Sequence, residues 1–237
     1  MDNKIYKKTA IILMAAGKST RFGSKTKELK QFYLLGDKPL YRYSLDFFLK
    51  YDFCQIIVVV PEDYSNKFSD FKNNDTFVNF ICGGNSRTDS VYNSLLYLKN
   101  NNFDITYCII HDVARPFIDE KILSNILKEI KNSPSLTCAI KVNDTIGYGE
   151  QYIEKYLDRK HIYLIQTPQA FSFNLIMDCY EKYINDNDKK QFTDDTSLVF
   201  EYSKINPKIV EGSSNLFKIT NFEDLEFANF LLNKKLK

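Results

Sequence analysis

The sequence predicts an α/β protein built on a mostly parallel sheet flanked by helices. Short apolar runs of strand length alternate with longer amphipathic stretches from one end of the chain to the other, which is the pattern of repeated βα units. Helix starts carry capping residues, and the 237 residues, 44% of them apolar, can bury roughly 70 to 75% of the unfolded surface around one large core. Residues 1–237 are therefore expected to form one domain.

The elements follow in order. Residues 10–14 and 55–60 are continuous apolar runs of the kind buried on both faces of a parallel sheet, and 78–82 and 107–111 read the same way. Strands are also expected at 136–142, 163–166 and 208–210. Helical spacing of apolar residues appears at 40–50, 87–99, 120–131, 173–183, 195–202 and 222–232. Asp119, Ser172 and the run Thr193-Asp194-Asp195 stand where helix N-caps belong. The segment from Tyr148 to Lys160 is polar, charged and rich in tyrosine, with no convincing helix. It predicts an arm or hairpin, at about residues 146–160, projecting from the sheet.

Charge and composition exclude several classes. With 32 Lys plus Arg against 30 Asp plus Glu, the chain lacks the clustered basic excess of a dedicated nucleic-acid binder. No stretch approaches the ~18 consecutive apolar residues of a membrane span. The N-terminal apolar segment is too short and too soon charged for a secretory signal, which predicts a cytoplasmic protein. Five scattered cysteines without a CxxC pair, joined by only two histidines, His111 and His161, read as small buried hydrophobes rather than a zinc site. Both histidines are expected to be structural.

The first strand ends in Ala15-Ala16-Gly17-Lys18-Ser19-Thr20-Arg21-Phe22-Gly23. Gly17-Lys18-Ser19 imitates a Walker A loop, but the glycine that motif needs five residues earlier is Ile12, still inside the strand. The dinucleotide fingerprint also fails, with Ser19 in the place of its second glycine. What remains is a small-residue strand exit followed by the cations Lys18, Arg21, Lys25, Lys27 and Lys30. Small residues admit a base or phosphate close to the backbone and amines neutralise its oxygens. Taken alone, the same residues would make a solvated basic turn.

Several further segments accompany that loop in order: Gly83-Gly84-Asn85-Ser86-Arg87-Thr88-Asp89-Ser90-Val91, His111-Asp112-Val113-Ala114-Arg115-Pro116, Asn143-Asp144-Thr145, Asp158-Arg159, Gln166-Thr167-Pro168-Gln169-Ala170-Phe171, Thr193-Asp194-Asp195 and Lys218-Ile219-Thr220. Together with AlaAlaGly-x3-Arg and Lys30-Gln31 they resemble the signature of the sugar and polyol phosphate nucleotidyltransferases. Within these the chain is most similar to the 2-C-methyl-D-erythritol 4-phosphate cytidylyltransferase family, over nearly its whole length.

The resemblance implies a Rossmann-like nucleotidyltransferase fold and the transfer of a cytidylyl group from CTP to methylerythritol phosphate, with release of pyrophosphate, in non-mevalonate isoprenoid synthesis. Such a reaction brings two polyanions together, so positioned cations carry the rate enhancement and a substrate phosphate is the nucleophile. By resemblance Arg21, Lys30 and Lys218 are those cations. Ala15, Ala16, Gly17, Gly84, Asn85 and the Ser90 hydroxyl hold the nucleotide. Arg115, Thr145, Arg159, Thr167 and Thr193 hold the polyol phosphate. Asp112, at the carboxyl end of a strand, is the expected ligand of Mg²⁺, with Mn²⁺ as a substitute. The family's arm completes the partner's site, which implies a homodimer.

Two departures fall near the acceptor: Gly147 stands where the family commonly has Lys, and the aromatic segment 148–152 is unlike the usual charged arm. Ribitol 5-phosphate cytidylyltransferase, with the same loop and QTPQ elements, is the alternative within the class. A non-catalytic nucleotide-binding regulator is the alternative outside it, and pyrophosphate release from CTP separates the two.

Overall fold

The computed structural model describes residues 3–17, 22, 29–62 and 77–235. Lys18, Arg21, Lys25 and Lys27 of the basic loop lie outside the described residues. The elements run as α1 (Asn3–Tyr6), β1 (Thr9–Met14), a hairpin of β2 (Leu34–Leu35) and β3 (Lys38–Pro39), α2 (Leu40–Phe48), β4 (Gln55–Val60), β5 (Val78–Cys82), α3 (Arg87–Asn100), β6 (Tyr107–Asp112), α4 (Glu120–Glu129), β7 (Ser135–Lys141), a second hairpin of β8 (Ile146–Tyr148) and β9 (Lys155–Leu157), β10 (Tyr163–Ser172), α5 (Phe173–Asn185), α6 (Asp195–Ser203), β11 (Lys208–Glu211) and α7 (Phe222–Lys235).

Seven strands form one sheet in the order β11-β7-β10-β6-β1-β4-β5. Every adjacent pair is parallel except the two made by β10, which is antiparallel to β6 and to β7. Alternation along the strands sends side chains to two faces. Ile11, Leu13, Ile56 and Val58 meet Leu45 and Phe48 of α2 and Ile122 and Ile126 of α4 on one face. Ala10, Ile12, Ile57 and Val59 meet Val91 and Leu95 of α3, Ile176 and Tyr180 of α5, and Leu198 of α6 on the other. Each wholly buried aliphatic side chain stabilises by roughly 1.5–3 kcal/mol. The sum over these strands exceeds the several kcal/mol per ion that buried charges cost, so the sheet can carry ion pairs at its carboxyl edge.

The strand and helix assignments from sequence agree within a few residues, with four corrections. β10 continues through Pro168 to Ser172, because the ladder register shifts between Gln166 and Gln169 and the missing N–H is tolerated at that bulge. Ser172 makes no side-chain cap, unlike Asp119 and Asp194, whose carboxylates accept from the amides of Ile122 and Ser197. Cys82 is exposed and Cys54 partly so, while Cys108, Cys138 and Cys179 are buried. The β2–β3 hairpin and α1 are too short to leave a periodic signal.

The expected arm is the β8–β9 hairpin, a two-stranded sheet separate from the main one. A Cβ at Gly147 would come within 2.7 Å of Ile153, so this glycine lets Ile153 fold back over the hairpin. No helix among the described residues is long and apolar enough to cross a membrane.

Candidate active site

The chain leaves β1 toward β4 and β5 on one side, then returns through α3 to β6 on the other. Open α/β sheets bind ligands beyond the carboxyl ends of their strands where the order reverses in this way. A cleft of about 290 Å³ opens there. One wall is the exit of β1, Met14 to Gly17, with Lys30 and Gln31. The floor is the exit of β6, Asp112 to Ala114, and the opposite wall is Gly84 to Arg87 with Ser90. Lys218 enters from the loop after β11.

Local chemistry shapes the second wall. A Cβ at Gly83 would lie 2.7 Å from the Cβ of Ala16 and 2.9 Å from Ser90 Oγ, so only glycine lets this turn approach the β1 exit. Ser86 and Asp89 form a capping box, each side chain accepting from the other's amide at 3.0 Å. The Ser90 hydroxyl, expected to face a base, accepts from Gly84 N at 3.0 Å and donates to Ser86 O at 2.8 Å. In this structure it braces the loop and turns the backbone of Gly84 and Asn85 to the cleft.

The floor is electrostatic. Lys218 Nζ donates to Asp112 Oδ2 at 2.6 Å, and Arg87 Nη2 approaches Oδ1 at 3.4 Å. Burial alone would raise the Asp112 carboxyl, but Arg87, Lys218 and Arg115 together hold it well below the usual range, so it is ionised throughout the working pH range. Lys30 Nζ donates to the Ile219 carbonyl at 2.9 Å, tying the β1 wall to the residue after Lys218.

Beneath the floor lies a chain of hydrogen bonds. His111 is fully buried; its Nε2 lies 3.1 Å from the Arg115 carbonyl, which can only accept, so Nε2 carries the proton. Its bare Nδ1 then accepts from the Thr167 hydroxyl at 3.3 Å, and Thr167 Oγ1 accepts from the Asp112 amide at 3.0 Å. Desolvation lowers the His111 pKa to about 4. Because the unfolded state binds the proton more readily, stability contributed by neutral His111 is lost as pH falls from about 6.5 toward 4, by about 3 kcal/mol in all. Urea midpoints at pH 7, 5.5 and 4.5 should fall in that order for the parent, and the drop down to pH 4.5 should shrink in His111→Gln.

Of the residues expected from sequence, Ala15, Ala16, Gly17, Lys30, Gly84, Asn85, Ser90, Asp112 and Lys218 line this one cleft. Arg115, Thr145, Arg159, Thr167 and Thr193 do not. Arg115 Nη1 donates to the Leu216 carbonyl at 2.8 Å, beneath the Lys218 loop. Thr167 is buried in the chain just described. Arg159 donates to the Asn143 carbonyl at the base of the arm, and it is exposed there, as Thr145 is; Thr193 is exposed before α6. Arg87 is the charged residue, among those described in the cleft, that sequence reasoning left without a role. Its signal was the single arginine in Gly83-Gly84-Asn85-Ser86-Arg87.

The 2-C-methyl-D-erythritol 4-phosphate cytidylyltransferase family model matches residues 9–234. The chain belongs to that family. A 2-C-methyl-D-erythritol 4-phosphate cytidylyltransferase of Caldicellulosiruptor bescii is 39% identical over 230 residues, covering 96% of this chain and 98% of the relative. One from Caldicellulosiruptor saccharolyticus is 36% identical over 97% and 100%. The crystal structure of 4-diphosphocytidyl-2C-methyl-D-erythritol synthase from Anaerococcus prevotii superposes with a TM-score of 0.79 at 28% identity, over 95% of this chain and 98% of that one. The cytidylyltransferase is thus a CTP-dependent enzyme that transfers a cytidylyl group to methylerythritol phosphate in isoprenoid biosynthesis. Its cleft suits two polyanions, with Lys218 and Arg87 on one ionised carboxylate and Lys30 in the β1 wall.

Proposed function

We propose that CTP and the acceptor react in this cleft, and that the chemistry is carried by cations around the α-phosphorus. The convergence of Lys30, Asp112 and Lys218 at the switch point of the sheet supports this reading most directly. The base lies against the backbone of Gly84 and Asn85, and Ala15 to Gly17 admit the triphosphate close to the β1 exit. An oxygen of the acceptor phosphate attacks the α-phosphorus, a P–O bond to it forms, and the bond from the α-phosphorus to the bridging oxygen breaks to release pyrophosphate. The attacking oxygen is already anionic, so no protein base is required. Lys30 and Lys218, with Arg21 from the basic loop, offset the charge that accumulates in the transition state.

Asp112 fits an Mg²⁺ ion that arrives with the nucleotide. It is held ionised, and no group of three His, Cys, Asp or Glu side chains that could hold a metal occurs among the described residues, so phosphate oxygens would complete the coordination, as Mg²⁺ favours. Mn²⁺, with the same preference for oxygen, can replace it. The ion supplies charge neutralisation of the phosphates.

The acceptor site is completed by a second copy of the chain. Thr145 and Arg159 stand together at the arm's base, and the arm exposes Tyr148, Tyr152, Ile153 and Tyr156 on a two-stranded hairpin, a unit that is marginal by itself. Burying those side chains against a partner would stabilise it and deliver Arg159 to the partner's cleft as a bidentate phosphate ligand. Arg159→Ala and Arg21→Ala subunits, each nearly inactive alone, should recover part of the activity when mixed; confirmed mixed dimers without recovery would put both residues in one chain's site. A cytoplasmic location goes with this reading, because CTP is a cytoplasmic substrate.

The deciding assay is Mg²⁺-dependent pyrophosphate release from CTP, with methylerythritol phosphate and ribitol 5-phosphate in parallel. Strong preference for methylerythritol phosphate is expected. Release driven equally by ribitol 5-phosphate would overturn the acceptor, and no release with either would overturn the catalytic reading of the cleft.

A further inference from the structure

Arg87 opens α3, and its guanidinium faces two carboxylates. Nη1 and Nη2 donate to the two oxygens of Asp195 at 2.8 Å each, and Nη2 also reaches Asp112 Oδ1 at 3.4 Å. Asp195 is wholly buried and is itself fixed from two directions. The Tyr180 hydroxyl donates to Oδ1 at 2.6 Å, and the Asp195 amide donates to Gln169 Oε1 at 3.0 Å. Burial, with Asp195 beside it, holds the Tyr180 phenol well above its ordinary pKa, so it remains a donor.

A bidentate Arg–Asp pair is complete in itself, and buried ion pairs gain little net stability because desolvation offsets their attraction. Fold stability alone is therefore a weak reason to build this one beside the cleft. Its remaining Nη2 hydrogen points to Asp112, the one carboxylate among the described residues that line the cleft. The two cations on Asp112 differ in freedom. Lys218 is a flexible stem on a loop, whereas Arg87 is a planar fork whose charge is already balanced by Asp195.

We propose that Arg87 is a positioning residue for the transfer reaction. Anchored by Asp195 and Tyr180, it fixes the Oδ1 side of Asp112, so that Oδ2 is the oxygen released by Lys218 when the nucleotide arrives. The inference rests on the reading of the cleft given above. It also joins two walls, because Arg87 directly follows the loop of Gly84 to Ser86: seating the base and orienting Asp112 become one event.

Arg87→Ala would leave Asp195 buried without a counter-charge and risks unfolding, so the test uses milder changes. Arg87→Lys keeps a positive charge opposite Asp195, but an ammonium cannot hold both carboxylates in the fork's geometry. It should lower kcat on the order of thirtyfold and change KM for CTP by less than about threefold. Tyr180→Phe removes one hydroxyl outside the cleft and should give the same pattern at about fivefold in kcat; it reports if Arg87→Lys fails to fold. A role in the fold alone would lower the melting temperature and leave both constants of the folded enzyme unchanged. A parental kcat in the folded variants, or a raised KM at parental kcat, overturns the proposal. Asp112→Asn is assayed alongside. If it keeps the parental kcat, the role given to Asp112 in the cleft fails and the inference falls with it; if it is impaired while both other variants turn over normally, the positioning role alone is rejected.

Discussion

Lys218→Ala lowers kcat by on the order of a hundredfold or more while the protein stays folded, as expected for the loss of one transition-state cation. The two consequences of the substitution differ in size. Lys218 is about one-third exposed and pairs with an Asp112 that retains Arg87, so the fold loses about 1 kcal/mol at most. Catalysis loses a charge that acts on phosphate oxygens in a partly enclosed cleft, where the same interaction is worth several times more than at the surface. Lys30→Ala should behave alike and add a positional defect, because the Lys30 amine holds the Ile219 carbonyl, 189 residues along the chain, next to Lys218. Steady-state kcat, KM for CTP and thermal melting of both variants provide the check. Turnover within about threefold of the parent would remove either lysine from the chemistry.

Much of the fold was legible because its central strands are buried on both faces. Ile11, Ile12 and Leu13, or Ile56 to Val60, have no polar face to alternate with, and a continuous apolar run of strand length between helical segments has few other readings. β10 was half legible for the opposite reason. Its second half contains Pro168, which argues against a strand unless a bulge absorbs the missing donor, and the bulge depends on β7 and β6 as neighbours. Its antiparallel direction is likewise decided by the route of the chain through the arm, which leaves no periodic mark.

The site divides along the same line. Asp112 and the glycine turn were legible because each sits at a strand exit, where strands of an α/β sheet converge, and Lys30 and Lys218 because each belongs to a short motif in a loop that follows a strand. The Arg87–Asp195 pair was not, since its partners are 108 residues apart and each has an innocent local reading, a helix start and an N-cap run. Arg115 and Thr167 bond in this chain to the Leu216 carbonyl and the Asp112 amide, partners distant in sequence that no local motif specifies. Thr145 and Arg159 flank the β8–β9 hairpin, a sheet separate from the main one, and do not line the cleft.

Asp112→Asn should give the largest loss, on the order of a thousandfold in kcat, with little change in KM for CTP. The substitution keeps the shape of the side chain and removes its charge. Arg87 stays paired with Asp195, so no buried cation is stranded, and Lys218 is left with more attraction for a triphosphate. Nucleotide binding therefore persists or tightens while turnover collapses, which is the opposite of what a nucleotide-binding carboxylate would give. The parent should lose activity in EDTA and regain it with Mg²⁺ or Mn²⁺, whereas the residual turnover of Asp112→Asn should respond far more weakly to added metal. Stability gives an independent check on the same residue. A carboxyl held far below its unfolded pKa contributes stability that is present above about pH 4 and is lost as pH falls further. Acid unfolding below pH 4 should thus be shallower in Asp112→Asn than in the parent. Undiminished turnover of the parent in chelator, or an Asp112→Asn enzyme within about tenfold of the parent, would take the metal away from this carboxylate and leave the cations as the whole of the catalytic apparatus.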